Sequence, residues 1–462
     1  MRDHTRILAE LGESYRHHAP RSAALHERAQ ERLVDGVSHT RRLATPFPPR
    51  IVSARGAFVW DEDGNRMLDF WQGHYANILG HNPEVITTAV ISGLEAGQCL
   101  QTGFTDRLQI EAAEILCRQT GAERVRFTTS GALATMYSIL LARAFTGRNL
   151  VLKVGGGWHG GQPWGLKGVS FRGRNGYGRM ETEGFPEIID EATLVSRFND
   201  LDRLRDDFAR FGDQIACFIV EPFVGAGGFI PATREYLVEA RALTERYGAV
   251  LVFDEVISGF RFRAGDMGAL YGVRPDLATF GKVVGGGMPV AAVAGRADLL
   301  DLAGAAGGRR VGFTGGTYSG HPASMIAAKT MMEYLAAHEA EIYPRLADLG
   351  EKARRAMEQA FAEEGIYARC TGYPNESLPG SSMGMLHFPY REGCDLSCPE
   401  DVYDPDKCDV ALRDTVLQTA LLIEDVHVVH GLGALSMAHT EADIGLLEEA
   451  CRRAARRIKP YL

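Results

Sequence analysis

The sequence predicts an α/β protein in which a largely parallel sheet is covered by helices on both faces and joined to a smaller second region. Three observations carry that class. Between about Gln109 and Ser324, short apolar or β-branched runs (RVRFT, NLVLK, IACFIVE, AVLVFDE, DLATF) alternate with longer helical stretches. The chain has 462 residues and 45% apolar side chains, enough for one large core plus a smaller one. Glycine, at 53 residues, exceeds the usual ~7%, so many tight turns or close backbone approaches are expected.

The elements follow in order. Ala23 to Leu33 reads as an amphipathic helix, and RRLATPFPPR after it cannot be helical throughout, so the first fifty residues form an arm. In IVSARGAFVWDEDGNRMLDF, two β-rich runs flank Asp61, Glu62, Asp63, Gly64 and Asn65, the chemistry of a hairpin turn. Within the alternating region, Thr233 to Tyr247 is a helix closed by Gly248, with a strand from Ala249 to Phe253 directly after it. Such units place ligands at the carboxyl ends of strands. After Ala323 a long helix, MIAAKTMMEYLAAHEAEIYPRL, leads into a region from about 340 to 462 with helices at both ends and strands such as SSMGMLHF between them.

Charge narrows the function. Fifty basic against 59 acidic residues give a formal charge of −9, which argues against a nucleic-acid groove. No apolar run approaches the ~20 residues of a bilayer span, and MRDHTRILAELGESYRHHAPR lacks the apolar core of a secretory signal. Eight scattered cysteines suit a reducing compartment, so a cytoplasmic protein without membrane or nucleic-acid partners is expected.

The chemistry concentrates in VLVFDEVISGF and PDLATFGKVVGGGMP. Asp254 ends an apolar strand, where a carboxylate is costly to bury unpaired. Lys282 ends another apparent strand, just before Val283, Val284 and three glycines. RVRFTTS runs into Gly131, Ala132 and a helical stretch, which puts Ser130, Gly131 and Ala132 at a helix N-terminus with amides pointing outward. Singly these are a capped strand end, a solvated lysine and an ordinary turn. Together they are what pyridoxal phosphate requires: an amine for the imine, a carboxylate for the pyridinium nitrogen and amides for the phosphate. Thr317 in GFTGGTYSGHP could add a phosphate ligand, and Trp158 in GGGWHGG an aromatic plate.

The chain resembles the class III, fold-type I pyridoxal-phosphate aminotransferases, near the glutamate-1-semialdehyde 2,1-aminomutases and the β-amino-acid transaminases. The likeness runs from about Gly36 to Ile444 through GVSHTRRLATPFP, LDFWQGHYANILGH, FTTSGALATMYSILLARAFTGR, WHGG, IVEPFVGAGGFIP, VFDEVISGFR, PDLATFGKVVGGGMP, GGTYSGHP and SMAHTEADI. It implies a large domain with a mostly parallel seven-stranded sheet plus a smaller α+β domain. The division it suggests is an arm at 1–50, the start of the small domain and a crossover at 51–100, the cofactor domain at 101–325 and the rest of the small domain at 326–462.

Carried onto this chain, the resemblance makes Lys282 the Schiff-base lysine and proton shuttle, and Asp254 the partner of the pyridine nitrogen. Val256 and Trp158 would face the ring from opposite sides, with His159 beside them in WHGG. Ser130, Gly131 and Ala132 would hold the phosphate of pyridoxal 5'-phosphate, and Glu221 would support the site. Gly316 and Thr317 would come from a second subunit, making a homodimer with shared active sites. Arg41 and Arg42, with His39 alongside, lie where the family places a substrate-carboxylate ligand, and Arg172 and Arg174 are further candidates.

Departures steer the reaction. Ser130-Gly131-Ala132-Leu133-Ala134 replaces the family's Ser-Gly-Thr-Glu-Ala, so phosphate binding should persist but weaken. Ala226 stands where aminomutases keep an Asn, LKGVSFRGRNGYGRM replaces their small gating loop, and Gly431 falls where an acid is usual. The expected activity is therefore amino transfer between a small amino acid or amine and a keto or aldehyde acceptor. An intramolecular aminomutase and a non-catalytic cofactor-binding protein are the alternatives. The acidic insertion REGCDLSCPEDVYDPDKCD, with Cys394, Cys398 and Cys408, lacks paired metal-ligand spacing and is expected to be a solvated loop at the dimer edge or site entrance, without metal.

Overall fold

A computed structural model of the chain describes residues 2–98, 100, 103–306, 308 and 310–462. Its main sheet contains strands β1 (Arg124–Thr128), β2 (Leu150–Val154), β3 (Thr193–Ser196), β4 (Ile215–Val220), β5 (Val250–Glu255), β6 (Leu277–Phe280) and β7 (Ala291–Gly295). The spatial order is β1-β7-β6-β5-β4-β2-β3. β3, β2, β4, β5 and β6 pair in parallel, whereas β7 runs antiparallel to both β6 and β1.

The strand sequences explain this layering. β4 and β5 are buried along their whole length, which is why IACFIV and VLVFDE show no polar alternation. Successive side chains serve opposite faces: Cys217, Ile219, Val250 and Val252 pack with Leu141 and Ala142, while Phe218, Val220, Leu251 and Phe253 pack with Tyr236 and Leu237. The helix Gly131–Thr146 follows β1, capped by Ser130 and ended by left-handed Gly147. Arg234–Tyr247 is likewise capped by Thr233 and closed by Gly248 at φ 64°.

The hairpin expected near Asp61 is present as Phe58–Asp61 and Arg66–Asp69, with Ile51–Arg55 beside it. Arg66–Asp69 pairs in parallel with Val426–His427, which ties the residues after the arm to the C-terminal region. Leu68 and Phe70 share a core with Leu349, Val428 and Leu447. Among the described residues no helix is long and apolar enough to cross a membrane.

Three segments differ from expectation. The charged start forms a helix, Thr5–His18, because Ile7, Leu11 and Tyr15 recur every fourth residue and bury one face. The long helix after Ala323 is two, Pro322–Ala337 and Glu339–Glu363, broken at His338, whose Nδ1 lies 2.9 Å from the carbonyl oxygen of Tyr334. The acidic insertion is a solvated loop only over residues 391–397, which are irregular and mostly exposed. Cys398, Val402 and Cys408 are buried, and Pro399–Tyr403 is helical over the turns at Gly156 and Gly228. Its acid is compensated there: Asp401 accepts from Lys407 Nζ at 2.8 Å and from the Cys398 thiol at 3.0 Å.

Candidate active site

Three chain segments meet at the carboxyl edge of the sheet. β5 presents Asp254, β6 presents Thr279 directly opposite in register, and the turn after β6 carries Lys282. The helix N-terminus after β1 and the turn after β2, Gly155 to His159, complete the wall. They enclose a cavity of about 340 Å³ lined by Ser130, Gly131, Ala132, Trp158 and His159. Glu221, Asp254, Val256 and Lys282 line the same space. Nine residues singled out in the sequence are thus brought together.

Asp254 is held from three sides. Oδ2 accepts from His159 Nδ1 at 2.8 Å, and Oδ1 from Thr279 Oγ1 at 2.9 Å and from the Val256 amide at 3.1 Å. Nδ1–H donates to the carboxylate, and burial lowers the pKa of His159 against the opposing pull of Asp254. Burial also pulls the Lys282 amine below the ordinary lysine range, with Asp254 and Glu221 opposing the shift and Arg261 adding to it. Glu221 accepts from the amides of Trp158 at 2.8 Å and Gly225 at 3.0 Å, and burial together with Asp254 pushes its carboxyl up to about 8.

A smaller space of about 70 Å³ adjoins Lys282 and is lined by Arg41, His39, His74, Tyr75, Trp158, Ala226 and His430. The Arg41 guanidinium lies 5.7 Å from the Trp158 ring. Arg42 instead reaches back to His74 Nε2 at 3.3 Å and is exposed. Arg172 pairs with Glu181 at 3.3 Å, and it and Arg174 are exposed on the replaced loop. Among the described residues lining the cavity, Gly316 and Thr317 of the same chain do not appear, and Gly316 packs beside Thr129.

Several residues of the site escape sequence reading. Lys153 is fully buried in β2 and donates to the carbonyls of Gly157 at 2.9 Å, Gly165 at 3.2 Å and Lys167 at 2.7 Å, so it pins the turn that carries Trp158 and His159. Burial pulls its pKa down to about 7. Thr135 Oγ1 donates to the His159 carbonyl at 2.6 Å. His74 and Tyr75 sit on a left-handed turn, with φ of 44°, 59°, 59° and 67° from Gln72 to Tyr75. Such a run costs roughly 1–2 kcal/mol per non-glycine residue. Asp69 secures it by accepting from the amides of Trp71 and Gln72, and is itself clamped by His81 and His427 at 2.7 Å each.

The cavity fits the cofactor expected from the sequence. His159 Nε2 is buried without a partner, and Asp254 Oδ2 accepts only one of the two bonds it could take. The wall is also backbone-tight: a Cβ at Gly131 would meet Val256 at 2.8 Å, and one at Gly160 would meet the Ala132 Cα at 2.5 Å. The glycines therefore let helix amides and the turn approach one small space.

Comparison with known proteins agrees. The model of the class-III aminotransferases matches residues 40–367. A glutamate-1-semialdehyde 2,1-aminomutase 2 from Lachnoclostridium phytofermentans is 36% identical over 356 residues, covering 76% of this chain and 82% of the relative. The crystal structure of an omega-transaminase from Sphaerobacter thermophilus is 31% identical with a TM-score of 0.84, covering 95% of this chain and 98% of that one. A beta-phenylalanine aminotransferase from Variovorax paradoxus is 31% identical with a TM-score of 0.82, covering 97% and 96%. The chain belongs to the class-III aminotransferases, and is a pyridoxal 5'-phosphate-dependent enzyme of fold-type I.

Proposed function

We propose that the enzyme is a transaminase that moves an amino group from a carboxylate-bearing small amine to a separate keto or aldehyde acceptor, with Lys282 and Asp254 as its catalytic residues. The observation that carries this reading is the single cavity uniting the Lys282 amine, the triply held Asp254 carboxylate and the amides of Gly131 and Ala132. When bound, pyridoxal 5'-phosphate supplies an aldehyde that condenses with amines and a protonated ring that withdraws electrons from the substrate Cα. Asp254 keeps the ring nitrogen protonated with the lone pair left on Oδ2. His159, Thr279 and the Val256 amide fix that carboxylate so that it does not swing away. Lys282, its pKa lowered by burial, accepts the substrate Cα proton and delivers it to C4′ while tethered within reach. Trp158 and Val256 would flank the ring, Ser130, Gly131 and Ala132 would hold the phosphate, and Glu221 supports the Trp158 turn by accepting from its amide. Arg41, rather than Arg42, receives the substrate carboxylate.

Transfer to a second molecule requires that the first product leave before the acceptor enters. Ala226, Arg41 and His430 line both the space beside Lys282 and an outer cavity of about 500 Å³, so the two spaces adjoin at these side chains. The aminomutase reading keeps one observation in its favour, the 36% identity to curated aminomutases. A second copy of the chain would bring its Gly316 and Thr317 to the phosphate, which makes the enzyme a homodimer. The unpaired described cysteines support a reducing, cytoplasmic setting.

The test follows the cofactor absorbance of the loaded enzyme with 3-amino-3-phenylpropanoate, β-alanine and glutamate-1-semialdehyde, each with and without pyruvate or 2-oxoglutarate. Turnover that requires the acceptor is expected, and Lys282→Ala lowers it by about three orders of magnitude or more. Isomerisation of the semialdehyde without acceptor would replace this reading by the aminomutase. Undiminished turnover in Lys282→Ala would remove the catalytic assignment.

A further inference from the structure

Beyond the cofactor cavity, a chain of polar side chains runs from the arm into the small region, partly buried at Arg41, His430 and Asp414 and fully buried from Arg413 inward. Arg41 Nη1 donates to His430 Nε2 at 2.7 Å. Arginine has only donors, so Nε2 presents its lone pair, and the ring is neutral with its proton on Nδ1. That nitrogen faces Asp414 Oδ1 at 3.6 Å. Asp414 is in turn gripped by Arg413 through Nε at 2.7 Å and Nη2 at 3.0 Å. Arg413 Nη1 continues to His387 Nδ1 at 2.9 Å and to the carbonyl of Val402 in the insertion at 3.1 Å. By the same reasoning His387 carries its proton on Nε2, which meets Thr371 Oγ1 at 3.0 Å. The series is continuous from Thr371 to Arg41, whose remaining N–H groups are left for a further acceptor.

Two features indicate that this series acts on Arg41. Arg413 and Asp414 cancel each other and His430 is neutral, so Arg41 is the member left with an uncompensated charge, at the boundary of the two substrate-side spaces. His430 is also held at φ 53°, a conformation that side-chain-bearing residues adopt only when their surroundings impose it, directly before left-handed Gly431. The bond from His430 removes rotamer freedom that a long arginine on a short helical turn at Thr40–Arg42 would otherwise lose only on binding substrate.

We propose that His430, its tautomer set by Asp414, is a positioning residue that aims the Arg41 guanidinium at the substrate carboxylate and thereby sets the preference for carboxylate-bearing donors. The proposal rests on the reading of Arg41 given above. Two readouts on the cofactor-loaded enzyme test it: the calorimetric Kd of 3-phenylpropanoate, and the ratio of kcat/KM for 3-amino-3-phenylpropanoate to that for 1-phenylethylamine, which has the same reacting carbon without the carboxylate. His430→Phe is expected to weaken 3-phenylpropanoate about tenfold or more and to lower the ratio by a like factor. Asp414→Asn should produce a smaller change of the same kind, expressed in KM rather than kcat. His430→Gln, which can still accept from Arg41 and donate toward Asp414, should restore most of both. Equal losses on the two donors, or an unchanged Kd in His430→Phe, overturn the positioning role. Arg41→Ala separates the two levels. If it leaves 3-phenylpropanoate binding intact, the carboxylate role of Arg41 fails and the proposal with it. If it abolishes binding while His430→Phe does not, only the positioning role fails.

Discussion

Lys282 sits at φ 47°, two residues beyond the end of β6, in a region of backbone space that lysine enters at a cost of about 1–2 kcal/mol. The cost is met by surroundings that hold Val283 and Val284 in the core, and Lys282 lines the same cavity as Asp254. Lys282 and Asp254 are legible in the sequence because a charge at the end of an apolar strand calls for a partner. Thr279 is not, since threonine is ordinary in any strand and its role appears only when β5 and β6 come into register. Lys153 did carry a signal, as the one charge in LVLKV, but its partners are three backbone carbonyls that no side-chain pattern reveals. Glu221 offers a measurable consequence. A carboxyl with a pKa of about 8 in the fold and 4.5 when unfolded holds its proton more tightly in the fold, so its contribution to stability falls as pH rises through that interval. Glu221→Gln removes the titration. Thermal unfolding at pH 5 and pH 8 should therefore show the variant gaining on wild type at the higher pH by on the order of 1 kcal/mol or more. A gap that does not change with pH would mean that the group does not titrate there.

On the proposed reading, the element that would decide cofactor affinity is the β1 turn and the helix after it, pressed against the turn after β2. Ala132 and Leu133 then offer the phosphate no side-chain ligand and the amides would hold it, so backbone approach would matter more here than side-chain chemistry. Gly160, at φ 82°, has no room for a Cβ against the Ala132 backbone. Gly160→Ala should push that turn from the helix N-terminus and raise the Kd for pyridoxal 5'-phosphate about tenfold or more, read by absorbance titration of the apoenzyme. Circular dichroism should remain that of the wild type, because the turn lies outside the main sheet. An unchanged Kd would show that the close approach is not what holds the phosphate. At this scale the sequence showed the strand-to-helix turns well and the insertion poorly. Its acidic composition reads as solvated, whereas Pro399 and Val402 anchor it over glycines that are far away in sequence. The left-handed turn at Gln72 to Tyr75 was invisible for a similar reason: one glycine among four residues does not announce it, and Asp69 and Arg261 impose it from elsewhere in the fold.

At the scale of the molecule, the face beside Gly316 and Thr317 exposes large apolar side chains around a groove that also carries Glu114, Glu123, Arg124 and Arg126. Phe104 is 73% exposed, Ile110 60% and Tyr318 62%, and a groove of about 690 Å³ runs between Ile110, Ala113, Phe127 and Ser319. None of the cofactor chemistry lies in that groove, although it is larger than the cavity at Lys282. In the homodimer proposed above, a second copy would be the occupant, because covering this face by two-fold symmetry would set each copy's 316–317 turn beside the other's proposed phosphate cradle. Burying one such side chain contributes about 1.5–3 kcal/mol, and a charge there reverses the sign. Ile110→Asp should therefore shift the protein from dimer to monomer in light scattering and, through the loss of the other copy's Thr317, weaken pyridoxal 5'-phosphate as well. The two effects should track each other with protein concentration, affinity recovering wherever dimer re-forms. A monomeric Ile110→Asp that binds the cofactor as tightly as wild type would show that each cradle is complete within one chain, and a wild-type protein that is itself monomeric would leave this face to another partner.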